Sequence, residues 1–217
     1  MLLGNLSPTV IVANLIVLLI GMTLHEFAHN YVGWRMGDPT PAQQGRLTLN
    51  PMVHINWLGW IMFAVIGFGI LGSAPISPYR MPLDNRRWRW LAAVGAGPAS
   101  NLLLATVFAL IIRIIGFQTL AGLPELIQLL LIQSVTLNVL LFFFNLLPLF
   151  PIDGWHIVHA LLPPDLAEVW QRNAQTTQYI FFGLLLLSFV PISGIPNIFS
   201  LLIGQPTAQV VNLLLGF

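Results

Sequence analysis

The stretch TLHEFAHNYV, residues 23–32, ends a long apolar run and carries two histidines that flank a glutamate. A spacing of four residues places His25 and His29 on one face of a helix, one turn apart, where both imidazoles can bind one metal ion. Ionisable side chains are costly within a membrane span and are usually functional there. The stretch therefore predicts a spanning helix over about residues 8–36 that carries a metal site. The alternative is a pair of interior histidines without a metal.

The composition indicates that the whole chain belongs in a membrane. Of its 217 residues, 57% are hydrophobic and only 7% are charged, whereas soluble domains carry about 25% charged residues. Cysteine is absent, so a metal must be bound by His, Asp or Glu, and a cysteine nucleophile is excluded. The net charge of +1 gives no indication of nucleic-acid binding. We expect one membrane domain over residues 1–217, in contact with the lipid bilayer.

Beyond the first helix, hydrophobic runs predict an all-α polytopic fold with about five to six hydrophobic segments. The further segments are residues 57–71, 88–115, 124–147, 177–190 and 197–215. Segment 57–71 is short and contains three glycines, which favours a re-entrant segment around residues 57–75 over a full crossing.

The distribution of arginine predicts the orientation of these segments. Residues 79–90, YRMPLDNRRWRW, are the most basic connection and are expected in the cytoplasm. With a re-entrant second segment, the first helix also ends in the cytoplasm, the N-terminus lies outside, and residues 148–178 return to the cytoplasmic face. We expect a multi-pass cell-membrane protein whose metal site lies toward the cytoplasmic side, roughly 15 Å below the surface at about 1.5 Å per residue.

Glu26 completes an H-E-x-x-H motif with the two histidines. If the metal is zinc, it lowers the pKa of its bound water to about 7, and Glu26 can take the proton from that water. A catalytic zinc site needs a third protein ligand. Asp153 is the best candidate, because it follows a helix that Pro148 and Pro151 break. The alternative role for Asp153 is to cap the next helix, and the two roles are compatible.

Three motifs together resemble the site-2 protease family of intramembrane zinc metalloproteases. They are HEFAH at residues 25–29, GPASN at 97–101 and NLLPLFPIDG at 145–154. Every defined position of the family patterns H-E-x-x-H and N-x-x-P-x-x-P-x-D-G is filled. The resemblance covers a catalytic core of about residues 9–165, leaves residues 177–217 as accessory hydrophobic segments, and looks closest to small bacterial and archaeal members without a PDZ or CBS domain.

The resemblance implies one Zn²⁺ per chain, bound by His25, His29 and Asp153, with Glu26 as general base. For Asn145 it implies a role in orienting the substrate or stabilising the oxyanion, for which its amide is a suitable donor. Hydrogen bonding between helices is the alternative for Asn145.

The loop GRLTLNPMVH, residues 45–54, alternates polar and apolar residues and predicts a short membrane-associated β-like element near the cytoplasmic face. A substrate helix must become extended before cleavage, and a strand edge can hold it by accepting it as another strand. The candidate substrate-binding residues are Arg46, Leu47, Thr48, Leu49 and Asn50, with a plain connecting hairpin as the alternative. His54 is a candidate fourth ligand, gate or substrate contact, and the alternative is an interfacial histidine.

Other polar residues near these motifs are assigned structural roles. Asn101 is expected to support close packing of its helix beside Gly97 and Pro98. His156 and His159 are three residues apart and predict an interfacial helix face rather than a second metal site, because no further carboxylate is placed to complete one.

We therefore expect a zinc metalloendopeptidase that hydrolyses peptide bonds in or near transmembrane segments of membrane-protein substrates, with water activated by Glu26 as nucleophile. The resemblance implies regulated intramembrane proteolysis, which often releases a cytoplasmic fragment. One alternative is a non-proteolytic membrane metal-binding protein or transporter with the same fold, although a transporter needs no Glu26. Another is a zinc hydrolase for a lipid or small amide. A homo-oligomer or an accessory regulator stays open as a partner.

Overall fold

The computed structural model describes residues 7–66, 69–188 and 198–217, and these residues contain helices and irregular connections but no strand. Short 3₁₀ helices lie at Pro51–Val53 and Pro78–Arg80, and a π-helical turn at Ser200–Gly204 precedes the last helix. The α-helices in these ranges are α1 Pro8–Arg35, α2 Thr40–Gln43, α3 Trp57–Ile66, α4 Arg86–Ile115, α5 Phe117–Ala121, α6 Glu125–Asn145, α7 Asp153–Leu161, α8 Pro164–Arg172, α9 Ala174–Ser188 and α10 Gln205–Leu215.

The first helix begins and ends where its sequence signals indicate. The Oγ of Ser7 accepts a hydrogen bond from the amide of Val10, and Pro8 takes the first helical position, where no amide hydrogen is needed. After α1 ends at Arg35, Gly37 adopts a positive φ of 108°, which glycine tolerates best. The helix predicted over residues 8–36 is confirmed to within one residue.

Within the described ranges, three helices are long and apolar enough to cross a membrane, and they pack against one another to form the centre of the fold. They are α1, α4 and α6, with 28, 30 and 21 residues, compared with the about 20 that a span requires. Helices α3, α9 and α10 have 10, 15 and 11 residues. The predicted five to six segments are therefore not confirmed as crossings, and residues 189, 190 and 197 of the predicted segments lie outside the described residues.

Helix α3 belongs to a segment that returns to its starting point. Ile55 and Gly72 form an isolated antiparallel bridge. A Cβ atom on Gly59 would overlap the backbone of Ile70, so glycine permits the two arms to touch. The arms on either side of residues 67 and 68, which lie outside the described residues, therefore run side by side, and the re-entrant path through the membrane stays a prediction.

The β-like element predicted for residues 46–50 is not confirmed. The Oδ1 of Asn50 accepts from the amide of Met52 at 3.0 Å, which caps the 3₁₀ helix that follows. The Oγ1 of Thr48 accepts from the amide of Asn50 at 3.2 Å. Such local bonds between side chain and backbone compete with strand pairing, so an alternating pattern here gives a bent loop.

A buried carboxylate connects the end of α1 to the segment before α4. Asp38 is fully buried and accepts from the amide of Ser77 at 2.8 Å, the amide of Thr40 at 3.0 Å and the Nε of Arg80 at 3.0 Å. Burial by itself raises the pKa of Asp38, but these hydrogen bonds outweigh it and hold the pKa below its usual range. These hydrogen bonds hold the segment before α4 beside the end of α1.

Candidate metal centre

Three side chains from α1 and α7 bring their metal-binding atoms to one point. The Nε2 of His29 lies 3.0 Å from the Nε2 of His25 and 3.1 Å from the Oδ2 of Asp153. The Nε2 of His25 lies 3.2 Å from the same oxygen. Zinc bonds of about 2.0–2.1 Å at tetrahedral angles place ligand atoms about 3.3 Å apart. These three atoms therefore fit three corners of a zinc tetrahedron, as the sequence predicts.

The hydrogen bond at the Nδ1 of each histidine determines that its Nε2 keeps the free lone pair. The Nδ1 of His25 donates to the Oδ1 of Asn101 at 2.7 Å, and the Nδ1 of His29 donates to the carbonyl of Ala93 at 2.9 Å. A neutral ring with hydrogen on Nδ1 keeps a lone pair on Nε2. Two such lone pairs and the carboxylate of Asp153 repel one another unless a cation lies between them. The donor set therefore fits a metal.

A chain of buried amides supports His25 from behind. The Nδ2 of Asn101 donates to the Oδ1 of Asn138 at 2.9 Å and to the carbonyl of Gly21 at 3.3 Å. Asn138 in turn donates to the carbonyl of Ser134 at 2.9 Å. The chain joins α1, α4 and α6, so Asn101 packs helices as predicted and also orients a candidate ligand. Sequence reasoning missed Asn138, although a polar residue inside an apolar helix was the available signal.

Two glycines make room for the candidate ligands. A Cβ atom on Gly97 would overlap the Nε2 of His29 and lie 2.8 Å from the Cε1 of His25. A Cβ atom on Gly154 would overlap backbone atoms of Leu146, so glycine lets the chain beside the candidate ligand Asp153 press against the end of α6. Both glycines stand in the motifs that the sequence singled out, and both allow close approach.

A cavity of about 380 Å³ opens beside the three donor atoms. Glu26 is buried and lines this cavity, as does Asn145 at the end of α6. One N–H of Asn145 donates to the carbonyl of Leu141 at 2.9 Å, and an amide NH₂ has a second hydrogen to offer. The structure thus brings a carboxylate and an amide donor to the same cavity as the metal-binding atoms.

One wall of the cavity is formed by the chain that follows the segment of α3. Residues 69–74 and Ile76 line it, and the sequence analysis did not single them out. Among the described residues of the wall, none comes from 46–50, and His54 is also absent. Arg46 contacts this wall through its guanidinium, which donates to the carbonyl of Ser73 at 3.1 Å. Substrate binding by residues 46–50 stays a prediction.

The two histidines of α7 lie in an aromatic cluster. His156 lines the cavity and meets the ring of Trp90 edge-on, at 5.6 Å between centroids. His159 stacks on Trp155, with the rings 9° from parallel. Burial lowers the pKa of both histidines. Across the described ranges, the only group of three metal-competent side chains is that of His25, His29 and Asp153, so a second metal site is not found there.

Comparisons with known proteins agree with this site. No protein-family model and no solved structure matches the chain. The chain is 38% identical over 182 residues to "Putative zinc metalloprotease YwhC" of Bacillus subtilis, a match that covers 82% of this chain and 81% of that protein. The chain belongs to the site-2 protease family. It is also 32% identical over 179 residues to "Putative zinc metalloprotease Rip2" of Mycobacterium tuberculosis, covering 80% of this chain and 65% of that protein.

Membership of the family makes the protein a zinc metalloprotease, and its three long apolar helices make it a membrane protein. The donor set of the protease fits the metal that its relatives' names imply.

Proposed function

We propose that this zinc metalloprotease cleaves peptide bonds in or near transmembrane segments of other membrane proteins. The observation that carries the proposal is the position of the site. The candidate ligands and Glu26 line a cavity whose walls include residues of α1, α4 and α6, the helices of the described ranges that are long enough to cross a membrane, and His25 lies ten residues before the end of α1. At about 1.5 Å per residue, this places the site roughly 15 Å below that end. A substrate reaches such a site from within the bilayer.

Five of the polar residues that line the cavity have a role in this reaction. His25, His29 and Asp153 hold one Zn²⁺, which when bound supplies Lewis-acid activation of water and of the scissile carbonyl. Glu26 accepts the proton of the attacking water and returns it to the leaving amine. Asn145 donates its free N–H to the carbonyl oxygen as negative charge develops there.

The cavity wall formed by residues 69–74 suits an extended substrate. Its backbone runs beside α1, since Gly72 lies next to Glu26 and Ile76 lies next to Gly33. A substrate strand placed against the backbone of this wall would exchange its lost helical hydrogen bonds for new ones. Arg46 steadies this wall through Ser73, which gives the loop of residues 46–50 a supporting part in substrate binding.

The test uses purified protein in three forms: wild type, Glu26→Gln and Asp153→Ala. Zinc content is measured by mass spectrometry, and cleavage is measured on a panel of transmembrane substrates with destabilised helices. Wild type is expected to hold one zinc and cut. Glu26→Gln is expected to keep zinc and lose about 10²- to 10⁴-fold in rate, because general acid–base catalysis is worth that much. Asp153→Ala is expected to lose zinc.

Glu168→Gln is the matched control, because this exposed glutamate pairs with Arg172 on the surface of α8. Its rate and zinc content should equal those of wild type. Absence of zinc from metal-replete wild type would contradict the assigned site. Equal cleavage by wild type and Glu26→Gln would contradict the role of the base. Zinc without cleavage of any membrane substrate would contradict intramembrane proteolysis.

A further inference from the structure

One carboxylate oxygen of Glu26 and one ring nitrogen of His54 are buried without a hydrogen-bond partner among the described residues. They are the Oε2 of Glu26 and the Nδ1 of His54. The two residues are 4% and 3% exposed, so bulk water does not reach them. Buried polar atoms in native proteins are nearly always paired, either with protein groups or with ordered water. Both atoms therefore require a partner.

The hydrogen bond at the other ring nitrogen defines what His54 offers. Its Nε2 lies 2.8 Å from the carbonyl oxygen of Thr48. Since a carbonyl only accepts, Nε2 carries the hydrogen and Nδ1 is an acceptor in the neutral ring. Burial lowers the pKa of His54, which favours the neutral ring at pH 7. Glu26 and His54 thus present two acceptors, which cannot bond to each other directly.

Both residues line one small cavity. Glu26, His54 and Thr23 line it together with apolar residues and Gly72. About 10 Å³ is available to the centre of a water molecule, which is room for one water. A water has two hydrogens to donate, one for each acceptor, and the Oγ1 of Thr23 is already engaged because it donates to the carbonyl of Leu19 at 2.6 Å. The site supplies the two to four polar partners that a buried water needs.

We propose that one ordered water donates its hydrogens to the Oε2 of Glu26 and to the Nδ1 of His54, so that His54 positions the general base. The bond holds one carboxylate oxygen away from the metal, and the other oxygen then faces the large cavity. His54 acts through Glu26 and lies outside the three-residue donor group. The inference rests on the proposed role of Glu26 and replaces a direct role of His54 in binding metal or substrate.

Substitutions at His54 separate the bond to water from the bond to Thr48. In His54→Asn, the side-chain oxygen takes the place of Nδ1 and keeps the acceptor. In His54→Gln, the amide reaches the place of Nε2 and keeps the donor to Thr48. His54→Leu keeps neither. We expect kcat to fall about 10- to 100-fold in the Leu and Gln variants, the range found for residues that orient catalytic groups. The Asn variant should retain most of the wild-type kcat, and all three should keep KM and zinc.

Other patterns of rescue would overturn the proposal. Rescue by His54→Gln but not by His54→Asn would show that only the bond to Thr48 matters. A raised KM at constant kcat would identify a substrate contact. Loss of zinc in His54→Leu would identify a role at the metal.

A second measurement does not depend on cleavage. NMR spectra are recorded on the zinc-loaded protein with ¹⁵N-labelled histidine. His54→Leu removes the ring-nitrogen signals of one of the five histidines and so assigns them to His54. We expect an unprotonated Nδ1 whose resonance moves in Glu26→Leu, because the bridging water loses a partner. A resonance that stays in place would overturn the proposal. A protein that shows the shift but cuts no substrate would refute the proposed function and leave the water bridge standing.

Discussion

Asn101 shows how one amide can serve the metal centre without touching the metal. Its Oδ1 holds the Nδ1–H of His25 at 2.7 Å, and its Nδ2 is held by Asn138. Because both ends of the amide are bonded, it cannot turn over and present NH₂ to the imidazole. The ring of His25 is thereby fixed with its Nε2 toward the other two donor atoms.

Asn101→Leu should weaken zinc binding by about 10- to 100-fold, since outer partners of metal-binding histidines contribute that much. The leucine removes the acceptor for His25 and also leaves the Oδ1 of Asn138 without its donor. Competition with a chelator of known affinity measures the change. Asn212→Leu, at an exposed asparagine of α10, is the matched control and should bind zinc as wild type does. Unchanged zinc affinity in a folded Asn101→Leu protein would contradict the orienting role.

The candidate ligands could be predicted from sequence because their residue types are rare in apolar surroundings. His25 and His29 needed only the helical repeat, and Asp153 needed only the elimination of other acids near a broken helix. The double role of Asn101 could not be read in the same way. An amide that packs helices and an amide that orients a ligand look the same in sequence, and only the tertiary contact with His25 separates them.

At the scale of elements, the site depends on a returning chain that must be held against α1. Alternation in residues 46–50 predicts a β-like element with a substrate-binding edge, but local caps at Thr48 and Asn50 take up the backbone instead. The fixing is done by Asp38, whose single carboxylate binds two amides and Arg80. The sequence does not indicate this role, because nothing local to Asp38 shows that Arg80 lies beside it.

Asp38→Asn should lower the stability of the folded protein by about 1–3 kcal/mol at neutral pH, because it leaves buried donors poorly paired. The folded-state pKa of Asp38 lies below the ordinary value of 3.8, so its contribution is fully present above that value. It is lost as the pH falls through the lower folded-state pKa, and the difference between wild type and variant should shrink there. Thermal unfolding in detergent across a pH series measures this difference.

Asp84→Asn is the comparison for Asp38, because Asp84 pairs with Arg89 at the surface, where ion pairs contribute little. Its unfolding midpoint should stay near that of wild type. A difference between Asp38→Asn and wild type that persists unchanged at the lowest pH would show that the carboxylate charge is not what stabilises the connection.

At the scale of the whole molecule, the site lies toward the same end of all three long helices. His25 and His29 are near the end of α1, Ala93 and Gly97 are near the start of α4, and Asp153 follows the end of α6. Helices that run up, down and up bring these ends together. The long apolar runs predicted the three helices well, whereas the shorter runs did not show whether they cross, because hydropathy alone does not distinguish a re-entrant arm from a span.

Single cysteines can test the proposed orientation, because the chain has none of its own. Exposed positions are Asp84 before α4, Gln118 between α4 and α6, and Gln175 at the start of α9. With the arginine-rich connection in the cytoplasm, a membrane-impermeant thiol reagent should label Gln118→Cys in intact cells, and Asp84→Cys and Gln175→Cys only in inverted vesicles. Labelling of Asp84→Cys from outside would show that the orientation is opposite to the proposed one and that the site lies toward the outer face. Labelling of Asp84→Cys and Gln118→Cys from the same side would mean that α4 does not cross, and the site between α1, α4 and α6 would then lie outside the bilayer.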